Sequence, residues 1–262
     1  MKTVTRLIYA SLLIAGTLSA STAMACTTSL WDGGTSGTTV AGSPDEDISR
    51  VSGLCALELT DAPGTVTDNS PTAETAANIR FYVKADLTAG TPVIFEAFNA
   101  TADSLITVSF DGSDFLFNAG DNTSPSVPAE SGKWNLVELA WTDGGSMEYW
   151  VNSDASQVGS QGSVNAISGT MDSVVLGTND SFTGTLTFDD YEAHRSTAVG
   201  PVDVCNADSI GGTDLLDALE VVDEYFAAPD SPDLAVGSPD CDLSGTVDLL
   251  DALEIVDIYF GT

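Results

Sequence analysis

The stretch NIRFYVKADL, residues 78–87, alternates strictly: Ile79, Phe81, Val83 and Ala85 point one way, and Arg80, Tyr82 and Lys84 the other. A period of two is the mark of a half-buried β-strand, because successive side chains leave opposite faces. Similar short runs follow it: VIFEAF, LITVSF, FLFNA, WNLVELAWT, MEYWV, SVVLG and GTLTFDDYEA. Clusters of Gly, Asp, Asn, Ser and Pro separate them. Many short strands at this spacing, with no sustained helical period, predict an antiparallel β-sandwich from about residue 27 to 199.

Charge bounds the partners. The 262 residues carry 39 acidic and 7 basic side chains, a net of −32. Nucleic acid and anionic membrane surfaces are excluded as partners, whereas cations or a saline environment suit the chain. At the N-terminus Lys2 and Arg6 precede the apolar run LIYASLLIAG, followed by small residues and Ala23-Met24-Ala25. That order predicts a secretory signal peptide over 1–25, with a run too short to span a bilayer. Cleavage leaves Arg50, Arg80, Lys84, Lys133 and Arg195 as the basic residues and predicts a secreted, extracellular product. It also makes Cys26 the first residue, which keeps a lipid-anchored alternative open, although Ala23 stands where a lipobox wants Leu. Four cysteines in an exported chain predict disulfides. They allow three pairings, and the reading chosen keeps them within halves: Cys26 with Cys55, and Cys205 with Cys241.

After Gly200 the pattern changes. NADSIGGTDLLDALEVVDEYF from Asn206 is repeated 34 residues later as DCDLSGTVDLLDALEIVDIYF from Asp240. Each copy reads as an acidic, Gly-containing loop followed by a helix. Leu215, Leu219, Val222 and Phe226, with Leu249, Leu253, Val256 and Phe260, fall on one helical face and are expected to be its core face. Loop positions 1, 3, 5, 7, 9 and 12 with Gly at 6 are what Ca²⁺ requires. In the second copy these are Asp240, Asp242, Ser244, Thr246 (through its carbonyl), Asp248 and Asp251, with Gly245 at the turn. In the first they are Asn206, Asp208, Ile210, Gly212, Asp214 and Asp217, with Gly211 at the turn. Ile210 offers no side-chain ligand, so a carbonyl, a water or Asp203 in a shifted loop must substitute, and weaker binding is expected there.

These repeats resemble a dockerin: two loop–helix calcium motifs of the EF-hand type, with Asp at position 12, over about residues 203 to 262. The resemblance implies Ca²⁺ as cofactor and a cohesin-like or cell-surface protein as partner. The duplicated residues Leu216, Val221 and Tyr225, with Leu250, Ile255 and Tyr259, lie off the expected core face and read either as a partner surface or as packing between the helices. Leu215-Leu216 and Leu249-Leu250 stand where many dockerins carry hydroxyl residues, so the type of partner is not implied.

The β region resembles concanavalin-like and laminin-G-like jelly rolls in VTDNSPTAETAANIRFYV, KWNLVELAWTDGGSMEYWVN and MDSVVLGTNDSFTGTLTFDDYEAH. Such folds bind sugars, bind proteins or cleave glycans. The E-x-D-x-x-E strand of retaining glycosidases in this fold is absent, and the lone His194 has no nucleophile motif beside it. Asp189 and Asp190 are adjacent on a strand and are expected on opposite faces, one of them available to a structural cation with oxygens such as those of Asp68. Trp31, Trp134, Trp141, Tyr149 and Trp150 are candidates for a sugar platform, with Trp134 and Trp141 on opposite faces.

The expected organisation is therefore mainly β: signal peptide 1–25, jelly-roll sandwich 26–200, and a small α dockerin-like module 201–262. The function read from it is non-catalytic attachment and recognition, with a glycan or protein on the sandwich. The alternatives are a polysaccharide-active enzyme with an unrecognised site and a calcium-stabilised filament subunit.

Overall fold

The computed structural model describes residues 27–28, 31–42, 49–53, 55–130, 132–227, 235 and 237–261. Residues 1–25, where a signal peptide is expected, and Cys26 lie outside these residues. The strands in chain order are β1 (Gly34–Gly37), β2 (Val40–Gly42), β3 (Ala56–Thr60), β4 (Gly64–Asp68), β5 (Ala76–Ala89), β6 (Val93–Phe98), β7 (Ser104–Phe110), β8 (Asp114–Ala119), β9 (Asn122–Thr123), β10 (Val127–Pro128), β11 (Trp134–Thr142), β12 (Ser146–Val151), β13 (Gly162–Asn165), β14 (Ser173–Thr178) and β15 (Thr183–His194). Two helices follow, α1 (Leu215–Phe226) and α2 (Leu249–Phe260). Every strand run expected from the pattern is a strand; β3, β4 and several very short edge strands are additions too brief to carry a period.

The strands form two antiparallel sheets. One has the order β1-β4-β14-β6-β7-β8-β10, with β9 on β8; the other runs β13-β12-β11-β5-β15-β3-β2. The 14-residue β5 sits at the middle of the second sheet, between β11 and β15. Its Ile79, Phe81 and Val83 enter the core between the sheets, with Phe95, Phe117, Leu139, Trp141 and Leu186. Phe81 stacks on Phe95, and Phe117 on Tyr149.

The outer face of β5 is covered as well. Tyr82 joins Val51, Trp134 and Leu136 in a second cluster, and Val202, Val204 and Leu243 of the C-terminal region pack on it. Arg80 donates to Gly200 O at 2.9 Å, and the Tyr82 hydroxyl accepts from Val202 N at 3.2 Å. Trp134 N donates to Leu243 O at 2.9 Å, which extends the edge of β11 onto the second acidic loop. The alternation that makes β5 a strand thus supplies one face to the sandwich and the other to the chain's last sixty residues.

The helices share a small core of Ala218, Val221, Ala252 and Ile255 with Ala207, Ala235 and the Cys205–Cys241 disulfide. The expected pairing of those two cysteines is present. Cys55 is disulfide-bonded too, and its expected partner Cys26 lies outside the described residues. The helix faces differ from expectation. Val221 and Ile255 are fully buried, while Leu215, Leu219, Phe226, Leu249, Leu253 and Phe260 are exposed. The reason is rotational: Asp217 and Asp251 face their own loops, so the residues four positions on, Val221 and Ile255, turn inward with them.

Arg50 anchors the two parts. Its guanidinium donates to both Glu224 oxygens at 2.8 Å, and both side chains are almost wholly buried. Glu224 Oε2 also accepts from Ala235 N at 2.8 Å. Arg50→Met should cost about 3–5 kcal/mol in a denaturant titration, because it strands a buried carboxylate. Arg50→Met with Glu224→Gln should recover more than half of that, since an amide oxygen still accepts from Ala235 and no charge remains. Equal losses for the single and double variants would remove the ion pair from this role.

Candidate functional site

Each acidic loop closes on the helix that follows it. Asp214 and Asp248 are the N-caps: each accepts from the amide two residues on, Leu216 N and Leu250 N, at 2.6 Å. Asp217 and Asp251 accept from Asp214 N and Asp248 N, at 2.6 and 2.8 Å. Both helices therefore begin with reciprocal capping boxes, which satisfy amides that have no intrahelical partner. The D-x-x-D spacing carried this signal in the sequence, beside the metal-ligand spacing that reading it as a calcium loop emphasised.

The second loop gathers oxygens at its centre. Carboxylate oxygens of Asp240, Asp242 and Asp251 lie within 4.8 Å of one another. Asp240 and Asp251 are buried, and Asp242 is half-buried. Asp240 accepts from Ser244 N and Gly245 N, and Asp251 from Cys241 N and Asp242 N. Ser244 Oγ donates to Thr246 O at 3.1 Å. Gly245, at φ 85°, permits the turn. Burial, then the carboxylates of Asp251 and Asp242, pushes the Asp240 carboxyl up to about 7, and burial pushes Asp251 up as well. Three clustered carboxylates with an all-oxygen surround fit a hard divalent cation, which would reverse those shifts.

The first loop repeats the backbone, with Ser209 at φ 57° and Gly211 at 75° against Leu243 at 55° and Gly245 at 85°. Its side chains differ. Asp217 accepts from Asp208 N and Asp214 N, and Asp208 from Ile210 N. Ile210 is exposed. Asn206 donates to Asp203 and to Gly211 O, while its own Oδ1 is buried with no hydrogen-bond partner. An unsatisfied acceptor at position 1 is where a cation ligand belongs. Gly212 is exposed and makes no side-chain contribution.

The candidate partner residues divide. Leu216 and Leu250 are 61% and 64% exposed, and Tyr225 and Tyr259 are 46% and 52% exposed. Val221 and Ile255 are interior and are withdrawn from any partner surface. Of the candidate platform aromatics, Trp134, Trp141, Tyr149 and Trp150 are all buried, and Trp31 packs at 5.1 Å on Tyr191. Trp134 and Trp141 do lie on opposite faces, one in each cluster. His194 is exposed and pairs with Glu192 at 2.8 Å.

Asp189 and Asp190 do not point to opposite faces as the strand rule required. The register of β15 against β5 shifts between Asp189 and Glu192, and Asp190 takes φ 49°, so a bulge breaks the alternation. Asp189 accepts from Val51 N at 2.6 Å and Ser52 N at 3.1 Å, and Asp190 from Ser52 Oγ at 2.6 Å. The pair fastens the segment that carries Val51, Gly53 and their bonds to Ser238 and Gly237.

No family model matches the chain, and no curated protein matches it. Among solved structures it is similar to a cellulose induced protein, Cip1, at 14% identity and a TM-score of 0.46, over 63% of this chain and 88% of that one. It is also similar to a sialidase at 10% identity and a TM-score of 0.41, over 54% of this chain and 15% of that one. A third is the botulinum neurotoxin serotype D binding domain, at 12% identity and a TM-score of 0.43, over 62% of this chain and 44% of that one. Among the described residues no helix is long and apolar enough to cross a membrane.

Burial, then the neighbouring Asp190 carboxylate, raises the Asp189 carboxyl to about 7. The folded chain therefore binds a proton that the unfolded chain releases between about pH 4 and 7, and this group's contribution to stability falls as pH rises through that window. Asp189→Asn should flatten the slope of unfolding free energy against pH between 4 and 7 relative to the wild type. An unchanged slope would sink the assignment.

Proposed function

We propose that the chain is an exported, non-catalytic attachment protein with a signal peptide over 1–25, a recognition sandwich over 26–200 and a calcium-binding dockerin-like module over 201–262. One observation supports it most. Twelve of the thirteen exposed large hydrophobics among the described residues lie on the two repeats, and ten of those twelve recur as five pairs at the 34-residue offset. A duplicated apolar surface of that kind is costly to leave in water and fits a protein partner. Leu216 and Tyr225, with Leu250 and Tyr259, are its centre, and a cohesin-like or cell-surface protein is its occupant.

Calcium organises that surface. In the second loop Asp240, Asp242, Ser244, Asp248 and Asp251 would hold the ion by side chain and Thr246 by its carbonyl; in the first, Asn206, Asp208, Asp214 and Asp217 would do so with less charge. Fifteen acidic and no basic residues lie between Asp203 and Asp257, so bound cation lowers a large self-repulsion. The sandwich takes a glycan or protein at a site to which no residue is assigned.

Calorimetric titration of the full chain with calcium should resolve two sites. Asp251→Ala should abolish the tighter and Asp217→Ala the weaker, because ligand charge sets affinity in such loops. Calcium-dependent retention on a cohesin-bearing fragment should be lost in the variant Leu216→Asp/Leu250→Asp with both calcium sites intact. Equal calcium losses for the two Ala variants would overturn the ranking of the loops, and retention by the Leu double variant would overturn the docking surface.

A further inference from the structure

Among the described residues, two lysines of the sandwich reach the second acidic loop. Lys84, on the outer face of β5, sets its ammonium against Gly245, so closely that a Cβ there would run into it. Lys133 Nζ donates to Asp242 O at 3.1 Å. Trp134 N donates to Leu243 O, and Leu243 packs with Tyr82, Trp134 and Leu136. Positions 3, 4 and 6 of the second loop are thus held by the sandwich. At positions 4 and 6 the counterparts in the first loop face solvent more: Ser209 and Gly211 are exposed, whereas Leu243 is half-buried and Gly245 buried. The repeats also differ in sequence where they dock, with Leu243 for Ser209 and Glu224 for Ile258, and agree at ten of their twelve exposed large hydrophobics.

We propose that docking of the second loop onto the sandwich and cation loading of that loop oppose one another, with Lys84 and Lys133 as the coupling charges. The inference rests on the calcium reading above. Two ammonium groups held against a loop repel a divalent cation entering it, so the docked loop binds calcium more weakly than the undocked one. Linkage is reciprocal: calcium then weakens docking by the same factor. In chelator the lysines serve as tethered counter-ions and the module stays seated. With calcium the module is released, and Tyr82, Trp134 and Leu136 are uncovered on the outer face of the sheet. The first loop, which touches neither lysine, is loaded without consequence for docking.

Two measurements on the full chain test this. In calorimetry, Lys84→Met/Lys133→Met should tighten one of the two calcium sites by about tenfold at low ionic strength and leave the other unchanged. That direction holds even if the variant undocks, because undocking also tightens the site. In the wild type, calcium should speed amide hydrogen exchange at Trp134, whose N–H is held by Leu243 O, while exchange in β6 and β7 stays constant. Calcium binding that is unaltered or weakened in the lysine variant overturns the coupling and leaves the calcium reading standing. Slower or unchanged exchange at Trp134 with calcium bound overturns it equally. No calcium uptake by either protein overturns both readings.

Discussion

The arrangement depends on a strand that has to bury both of its faces. β5 sends Ile79, Phe81 and Val83 into the sandwich and Arg80, Tyr82 and Lys84 out of it. An outward tyrosine flanked by Trp134 and Leu136 would be an apolar patch in water. The chain's acidic end covers it, and the charge pattern explains why that end is suited to do so. Of the five basic residues after position 25, Arg50, Lys84 and Lys133 contact the region beyond residue 200, and Arg80 holds Gly200 at its threshold. The ion pairs of Arg80 and Arg195 lie within the sandwich, with Glu192 and Glu74. The scarce cations are concentrated where a polyanionic segment needs them.

The same constraint gives the carboxylates distinct tasks. Glu224 is neutralised by Arg50, Asp189 holds backbone amides of the segment that carries Val51, and Asp214 with Asp248 cap helices. The trio Asp240, Asp242 and Asp251 gathers carboxylate oxygens within 4.8 Å of one another, and burial raises the Asp240 and Asp251 carboxyls. A buried like-charge cluster of this type is stable only if it takes up protons or a cation. This is why the second loop, and neither the first loop nor the Asp189 pair, is the centre of the functional reading.

Much of this was legible beforehand, in proportion to how local the cause is. Period-two alternation found every long strand, and the 34-residue repeat found both helices and their loops. The cysteine pairing between residues 205 and 241 followed from keeping the four cysteines within their halves of the chain. Legibility failed where a single residue's geometry overrode a pattern. The bulge at Asp190 cancelled the opposite-face rule, and the inward turn of Asp217 and Asp251 rotated both helices, burying Val221 and Ile255 and exposing Leu219 and Leu253. Helical period alone cannot choose between two apolar stripes when a sequence carries both.

The residue pattern therefore decided the elements: a mainly β body, two capped helices, and two acidic loops at a 34-residue offset. Those are properties of neighbours along the chain, where backbone geometry and side-chain spacing act within a dozen residues. Tertiary structure decided which surfaces are free. It buried the candidate aromatic platform, placed Arg50 against a glutamate 174 residues away, and set Lys84 and Lys133 on one of two repeated loops. No local signal encodes such contacts, because each depends on where β5 and β11 bring their outer faces once the sandwich has closed.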